Sequence, residues 1–167
     1  ETPEQPETPE QPEQPETPET PAEQVTLTKV TNVNMLTDGA KILLTYKDEF
    51  TVGAHDESKF ASVAFAATQT TINADQKVIV LVKSGEYWAL KVDDKYISYT
   101  GSGNNVQLSN EINASSQRTI SVDEEGQLII ANVATSERLL QYNASSPRFA
   151  CYKASSNQIN PEAYAIN

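Results

Sequence analysis

The sequence predicts an all-β domain of about twelve strands, carried behind an acidic, proline-rich arm. Three observations lead there. From Val25 onward the chain breaks into short runs rich in Val, Ile, Thr and Tyr, separated by Gly, Asp, Asn and Ser. Within those runs polar and apolar residues alternate, and helical spacing is almost absent. Three of them, FTVGA (50–54), YISYT (96–100) and LLQYN (139–143), begin 46 and 43 residues apart.

The arm, residues 1–24, holds seven prolines and eight glutamates, no basic residue, and nothing apolar larger than one alanine. Such a segment cannot bury a core, and its glutamates repel one another. A proline at every third position from Pro3 to Pro21 favours polyproline II, which extends the arm to about 70 Å. It reads as a spacer, with residues 25–167 as one all-β domain.

In order, the runs are VTLTKVTNV (25–33), KILLTY (41–46), EFTVGA (49–54), SVAFAATQ (62–69), KVIVLV (77–82), EYWALKV (86–92), KYISYT (95–100), NNVQLS (104–109), RTISV (118–122), QLIIANV (127–133), RLLQYN (138–143), RFACYK (148–153) and AYAIN (163–167). Turn-forming connectors join several pairs: Lys47-Asp48-Glu49, Val82-Lys83-Ser84-Gly85, Asp93-Asp94 and Asp123-Glu124-Glu125-Gly126. Only Glu57 to Ala67 shows a rough helical spacing, through Phe60, Val63, Ala64 and Ala67, and its β-type ending competes with that reading.

Each member of the spaced triplet follows a strand of similar shape (ILLTY, WALKV and LIIANV) and precedes a polar stretch and two more strands. A period of this size marks repeated supersecondary units. Three units of four strands match the β-trefoil, in which six strands close a barrel and six form hairpins over one end. Closure removes the exposed edges that many short strands create. An antiparallel β-sandwich satisfies the same alternation and is the alternative.

Composition excludes several function classes. The formal charge of −11 comes mostly from the arm, since beyond residue 24 there remain 12 basic and 15 acidic residues, a net of −3. No Lys/Arg cluster could track phosphates, so no nucleic acid partner is expected. No apolar run is long enough to span a membrane. Cys151 is the sole cysteine, read as a small buried thiol in PRFACYK. The chain begins at Glu1 without a methionine and reads as a processed product, so a signal peptide or lipid-bearing cysteine would lie upstream. An extracytoplasmic setting is the expectation from the Pro-Glu-Thr composition.

The stretch RLLQYNASSPRFACYK, with the upstream DDKYISYTGSGNNVQL and QLIIANV, resembles a C-terminal accessory domain of secreted proteins and lipoproteins of Bacteroidetes. The matching positions are Leu140, Gln141, Tyr142 and Asn143, then Arg148 through Lys153, within a likeness covering residues 78 to 160. The resemblance implies an extracytoplasmic, non-catalytic module joined to other domains, and it supplies no ligand. A weaker likeness is to β-trefoil binding modules of the ricin or fascin kind, although the glutamine-x-tryptophan motif of ricin-type lectins is missing.

Catalytic chemistry is not expected. His55 is the only histidine; it is adjacent to Asp56 and close to Ser58, whereas triad members are brought together by the fold. It reads as a surface turn residue. One His and one Cys cannot build a zinc site. The acidic pairs and triplets fall in turns, and Asp123-Glu124-Glu125-Gly126 lacks the pattern of a calcium loop. No cofactor is expected.

Binding therefore rests on aromatics and loops. Alternation sets Trp88 with Leu90 and Val92, and leaves Tyr87 the more exposed. Tyr99 and Tyr142 read as equivalent barrel positions, core first and ligand contacts second. The loops Gly101–Asn105 and Asn143–Pro147 follow equivalent strands, with Arg148 and Tyr152 beside the second. The candidate ligand-binding residues are Tyr87, Asn104, Asn105, Asn143, Arg148 and Tyr152. Their ligand would be a glycan or a cell-surface protein. A structural accessory role, or proteinase inhibition through an exposed Arg148, are the competing readings.

Overall fold

A computed structural model describes residues 22–99 and 101–167, together with residues 3, 4, 6 and 8 of the arm. The polyproline run expected for the arm falls largely outside the described residues, as does Thr100 of YISYT. Thirteen strands form one antiparallel sheet: β1 (Leu27–Lys29), β2 (Lys41–Tyr46), β3 (Phe50–Asp56), β4 (Lys59–Ala64), β5 (Ile79–Ser84), β6 (Tyr87–Val92), β7 (Lys95–Tyr99), β8 (Val106–Ser109), β9 (Gln117–Val122), β10 (Leu128–Asn132), β11 (Arg138–Asn143), β12 (Arg148–Lys153) and β13 (Glu162–Ile166).

The pairing resolves into three units, β2–β5, β6–β9 and β10–β13. In the first two units the opening strand pairs with the closing one, through Ile42↔Ile79 and Trp88↔Arg118. In the third, the Leu128 amide donates to the Pro161 carbonyl at 2.7 Å. Each closing strand then pairs with the opening strand of the next unit, as β5–β6, β9–β10 and β13–β2. Six strands thereby close a barrel. The middle strands form hairpins β3–β4, β7–β8 and β11–β12. The first and third hairpins join through Phe149↔Phe60. This is a β-trefoil, and the short β1 lies alongside β13 as a thirteenth strand. The sandwich alternative is excluded by the closed barrel.

Turn chemistry places the hairpins. Asp93 and Asp94 both take positive φ, 48° and 63°, as a two-residue primed turn demands. Gly53 answers a different constraint. A Cβ there would lie 2.7 Å from Val63 Cγ1 on the neighbouring strand, where the β3–β4 register shifts between Val52 and His55.

Three sequence expectations need correction. VTLTKVTNV supplies only the short β1, because Val33–Met35 forms a 3-10 turn whose Asn34 amide donates to the Asn32 side chain. Glu57 to Ala67 holds no helix, and its strand starts earlier than SVAFAATQ, at Lys59. His55 lies in β3 rather than in a turn. It is half-buried, with its Nε2 2.8 Å from the Val106 carbonyl and its ring edge-on to Phe60.

The core fills the barrel and its cap with Leu44, Leu81, Leu90, Ile97, Leu128, Leu140 and Phe149, all 1% exposed or less. Tyr99 and Tyr142 are both buried, as alternation predicts, and so is Cys151. Trp88 is half-buried, with Lys83 Nζ 4.3 Å from its ring centre. Among the described residues two arginines are buried, Arg138 beneath a loop and Arg118 in the interior. Arg118 is fully buried, with Nη2 3.4 Å from the Ile97 carbonyl, both Nη atoms 3.8 Å from Cys151 Sγ, and Nε without a partner.

A single titratable contact ties β13 to the β2–β3 turn: the Tyr164 hydroxyl donates to Asp48 Oδ1 at 2.7 Å. Burial first, and the Asp48 hydrogen bond second, hold this phenol protonated well above its ordinary range. An unfolded tyrosine ionises near pH 10 (about 10). The folded pKa is raised, so stability is intact below about pH 10 and falls as pH rises beyond it. Unfolding midpoints in denaturant between about pH 9 and 11 should show this loss, and Tyr164→Phe should flatten it.

Candidate functional site

The three hairpins converge on a polar cleft of about 220 Å³ lined by Ser58, Lys59, Asn104, Asn105, Arg148 and Tyr152, with the Ala150 methyl at its floor. Each unit of the trefoil contributes. The β3–β4 turn and start of β4 bring Ser58 and Lys59, the β7–β8 loop brings Asn104 and Asn105, and β12 brings the rest.

Local rules explain the placement. Alternation puts Arg148, Ala150 and Tyr152 on one face of β12. β12 pairs with β4 through Arg148↔Ala61, and continuing that register sets Lys59 opposite Ala150. The small side chain at Ala150 leaves the space open between the two cations. The β7–β8 loop is tied down from both sides: the Val106 amide donates to the Ser58 carbonyl at 2.8 Å, and the Cys151 amide to the Asn104 carbonyl at 3.1 Å.

Supporting bonds orient the lining groups. Arg138, buried beneath the loop, donates from Nη1 to Asn104 Oδ1 at 2.8 Å and to the Cys151 carbonyl at 3.2 Å, and its guanidinium lies 5.3 Å from the Tyr99 ring centre. The Tyr99 hydroxyl in turn donates to the Gly103 carbonyl at 2.9 Å. Asn143 donates from Nδ2 to the Tyr152 hydroxyl at 3.2 Å, and its Oδ1 accepts from the Ser145 and Ser146 amides. Arg148 Nε donates to the Ser146 carbonyl at 3.2 Å, which steadies the side chain at the rim.

Of the six residues singled out from sequence, Asn104, Asn105, Arg148 and Tyr152 line this cleft, and Asn143 braces Tyr152 behind it. Tyr87 stands apart. It opens β6 opposite Ser84, beside the Gly85–Glu86 turn, and is half-buried. Arg148 also sits in a strand, cross-strand from Asn143, and not on a projecting loop. Sequence reasoning missed Ser58, Lys59 and Arg138. A signal for the first two existed: the stretch after FTVGA corresponds by period to the loops after YISYT and LLQYN.

Among the described residues no carboxylate lines the cleft, and no group of three His, Cys, Asp or Glu side chains is placed to hold a metal ion. The turn at Asp123 is internally satisfied, its Oδ1 accepting from the Glu125 and Gln127 amides. A larger groove of about 560 Å³ runs along the barrel wall over Ile72, Val78, Val80 and Ile166. Of its two lining lysines, Lys91 lies 3.7 Å from Asp94, while the neighbouring Lys77 lies 2.9 Å from the lining Asp93. Polar donors do not converge there, so the smaller cleft is the better candidate.

No protein-family model and no curated protein matches this chain. Solved structures do resemble it. The GlcNAcα1-4Gal-releasing endo-β-galactosidase from Clostridium perfringens superposes with a TM-score of 0.60 at 8% identity, over 77% of this chain and 32% of that one. SeviL bound to asialo-GM1 saccharide superposes at 0.53 and 16% identity, over 78% of this chain and 98% of the other. The lysenin pore matches at 0.52 and 9% identity, over 85% of this chain and 49% of its own. This chain thus spans about a third of the first and about half of the third. At such identities the likeness establishes the shared fold.

Proposed function

We propose that this chain is a non-catalytic glycan-binding module, extracytoplasmic and held away from its anchorage by the acidic arm. The observation that carries the reading is the cleft at the hairpin junction, where two cations, two amides and a phenol converge on a space fit for a small polar ligand. Pockets for drug-sized ligands usually begin near about 300 Å³, so 220 Å³ suits one sugar residue rather than an extended chain. Two of the similar structures carry sugars in their names, one as a released product and one as a bound ligand. Glycoside hydrolysis needs a pair of carboxyl groups about the scissile bond, and among the described residues the cleft lining offers none. The likeness to the Bacteroidetes accessory domain supports the same setting.

A glycan array followed by calorimetry tests this. Wild type is expected to bind, and Arg148→Ala to weaken that binding about 10- to 100-fold, the worth of one or two charge-assisted hydrogen bonds. Because Arg148 is half-buried at a strand end, its melting temperature should change little. Silence on the array, or equal binding by the variant, overturns the proposal.

A further inference from the structure

We infer that the cleft selects sugars bearing a negative charge, a carboxylate or a sulfate, over neutral ones. This rests on the glycan-binding reading above and deepens it. Lys59 and Arg148 flank the cleft from adjacent strands, β4 and β12, and among the described residues no acidic side chain lines the space between them. Among the described residues the ion pairs are Lys29–Glu162, Lys77–Asp93 and Lys91–Asp94, so no described carboxylate pairs with either cleft cation. Asp56 lies cross-strand from Lys59 at the β3–β4 turn, yet it forms no ion pair with it.

The remaining groups point the same way. Asn104 Oδ1 is already taken by Arg138, which leaves its Nδ2 hydrogens for a ligand. The Tyr152 hydroxyl accepts from Asn143, which leaves its own hydrogen to donate. Lys59 and Arg148 are donors only. Only Ser58 and Asn105 offer side-chain oxygens that can accept as well as donate, so donors outnumber acceptors in the cleft, the arrangement that suits an anion's lone pairs better than sugar hydroxyls, which need both. Stacking cannot substitute for this. Tyr152 is the only aromatic in the lining, and at 5% exposure it is too buried to present an open ring face.

Titration of the intact chain with N-acetyllactosamine and with its sialylated and sulfated counterparts tests the inference. One or both charged forms are expected to bind about tenfold or more tightly than the neutral sugar. That preference should shrink when NaCl rises from about 50 to 500 mM. Lys59→Gln should erase most of the preference, weakening the charged sugars about tenfold more than the neutral one. The sialylated and sulfated arms separate carboxylate from sulfate recognition. Equal or tighter binding of the neutral sugar, lost on Arg148→Ala, overturns the charge selectivity and leaves the glycan reading standing. Absence of binding to all three, together with silence on a broad array, overturns both.

Discussion

Tyr142→Ala is expected to destabilise the fold by about 3–5 kcal/mol, the range for removing a large buried aromatic. Tyr142 belongs to β11 in the third unit and is 1% exposed. Its ring stacks on Tyr46 of β2 at 4.2 Å between centres, lies 6.3 Å from Phe50 of β3, and tilts against Phe149 of β12 at 4.9 Å. Its hydroxyl is 3.0 Å from Ser62 Oγ on β4. Three of those four partners sit in the first unit, so one side chain joins the first unit to the third. Each aromatic pair is worth about 0.5–1.5 kcal/mol beyond the area it buries. Tyr142→Phe keeps the rings and loses only the Ser62 bond, at a cost of about 1 kcal/mol. Urea unfolding of the two variants separates the contributions. A loss below about 2 kcal/mol for the alanine variant would mean that the units hold together without this contact.

The trefoil was legible because repeated units must return the chain to equivalent places in one barrel. FTVGA, YISYT and LLQYN are the first hairpin strands of their units, β3, β7 and β11, and the strands before them open each unit. Alternation also sorted Tyr99 and Tyr142 into the core correctly, although they lie on the hairpin strands β7 and β11 that cover the barrel end and not in the barrel wall. Where it erred, local chemistry competed. The Asn32 side chain caps a 3-10 turn that interrupts the first run, and a register shift beside Gly53 draws His55 into a strand.

The site was half legible for a related reason. Asn104, Asn105, Asn143, Arg148 and Tyr152 stood out because they occupy matching loops and the strand that follows one of them. Lys59 and Ser58 reach the same place only through β4–β12 pairing, which joins residues almost ninety positions apart (Phe60 with Phe149). No local pattern encodes such a contact. Arg138 was hidden differently, since it acts from beneath the loop and its side chain is buried.

Arg118 poses the sharpest energetic question, and a pair of substitutions answers it. Alternation in RTISV groups Arg118 with the buried Ile120, although charge argues for the surface. The fold obeys the alternation. A guanidinium carries five donors, yet here one carbonyl lies within 3.5 Å, the two sulfur contacts are long, and Nε has no partner. No carboxylate pairs with it among the described residues. Its charge is therefore poorly compensated, whereas its volume is fully used by the core. Arg118→Ala keeps neither and should cost about 2–5 kcal/mol through the cavity it leaves. Arg118→Met keeps most of the volume on a flexible apolar chain and should be neutral, or stabilising by about 1–4 kcal/mol. Chemical unfolding of both variants separates volume from charge. If methionine destabilises as much as alanine, the bonds to the Ile97 carbonyl and Cys151 Sγ outweigh the burial penalty, and the core holds this cation as a structural strut between β7, β9 and β12.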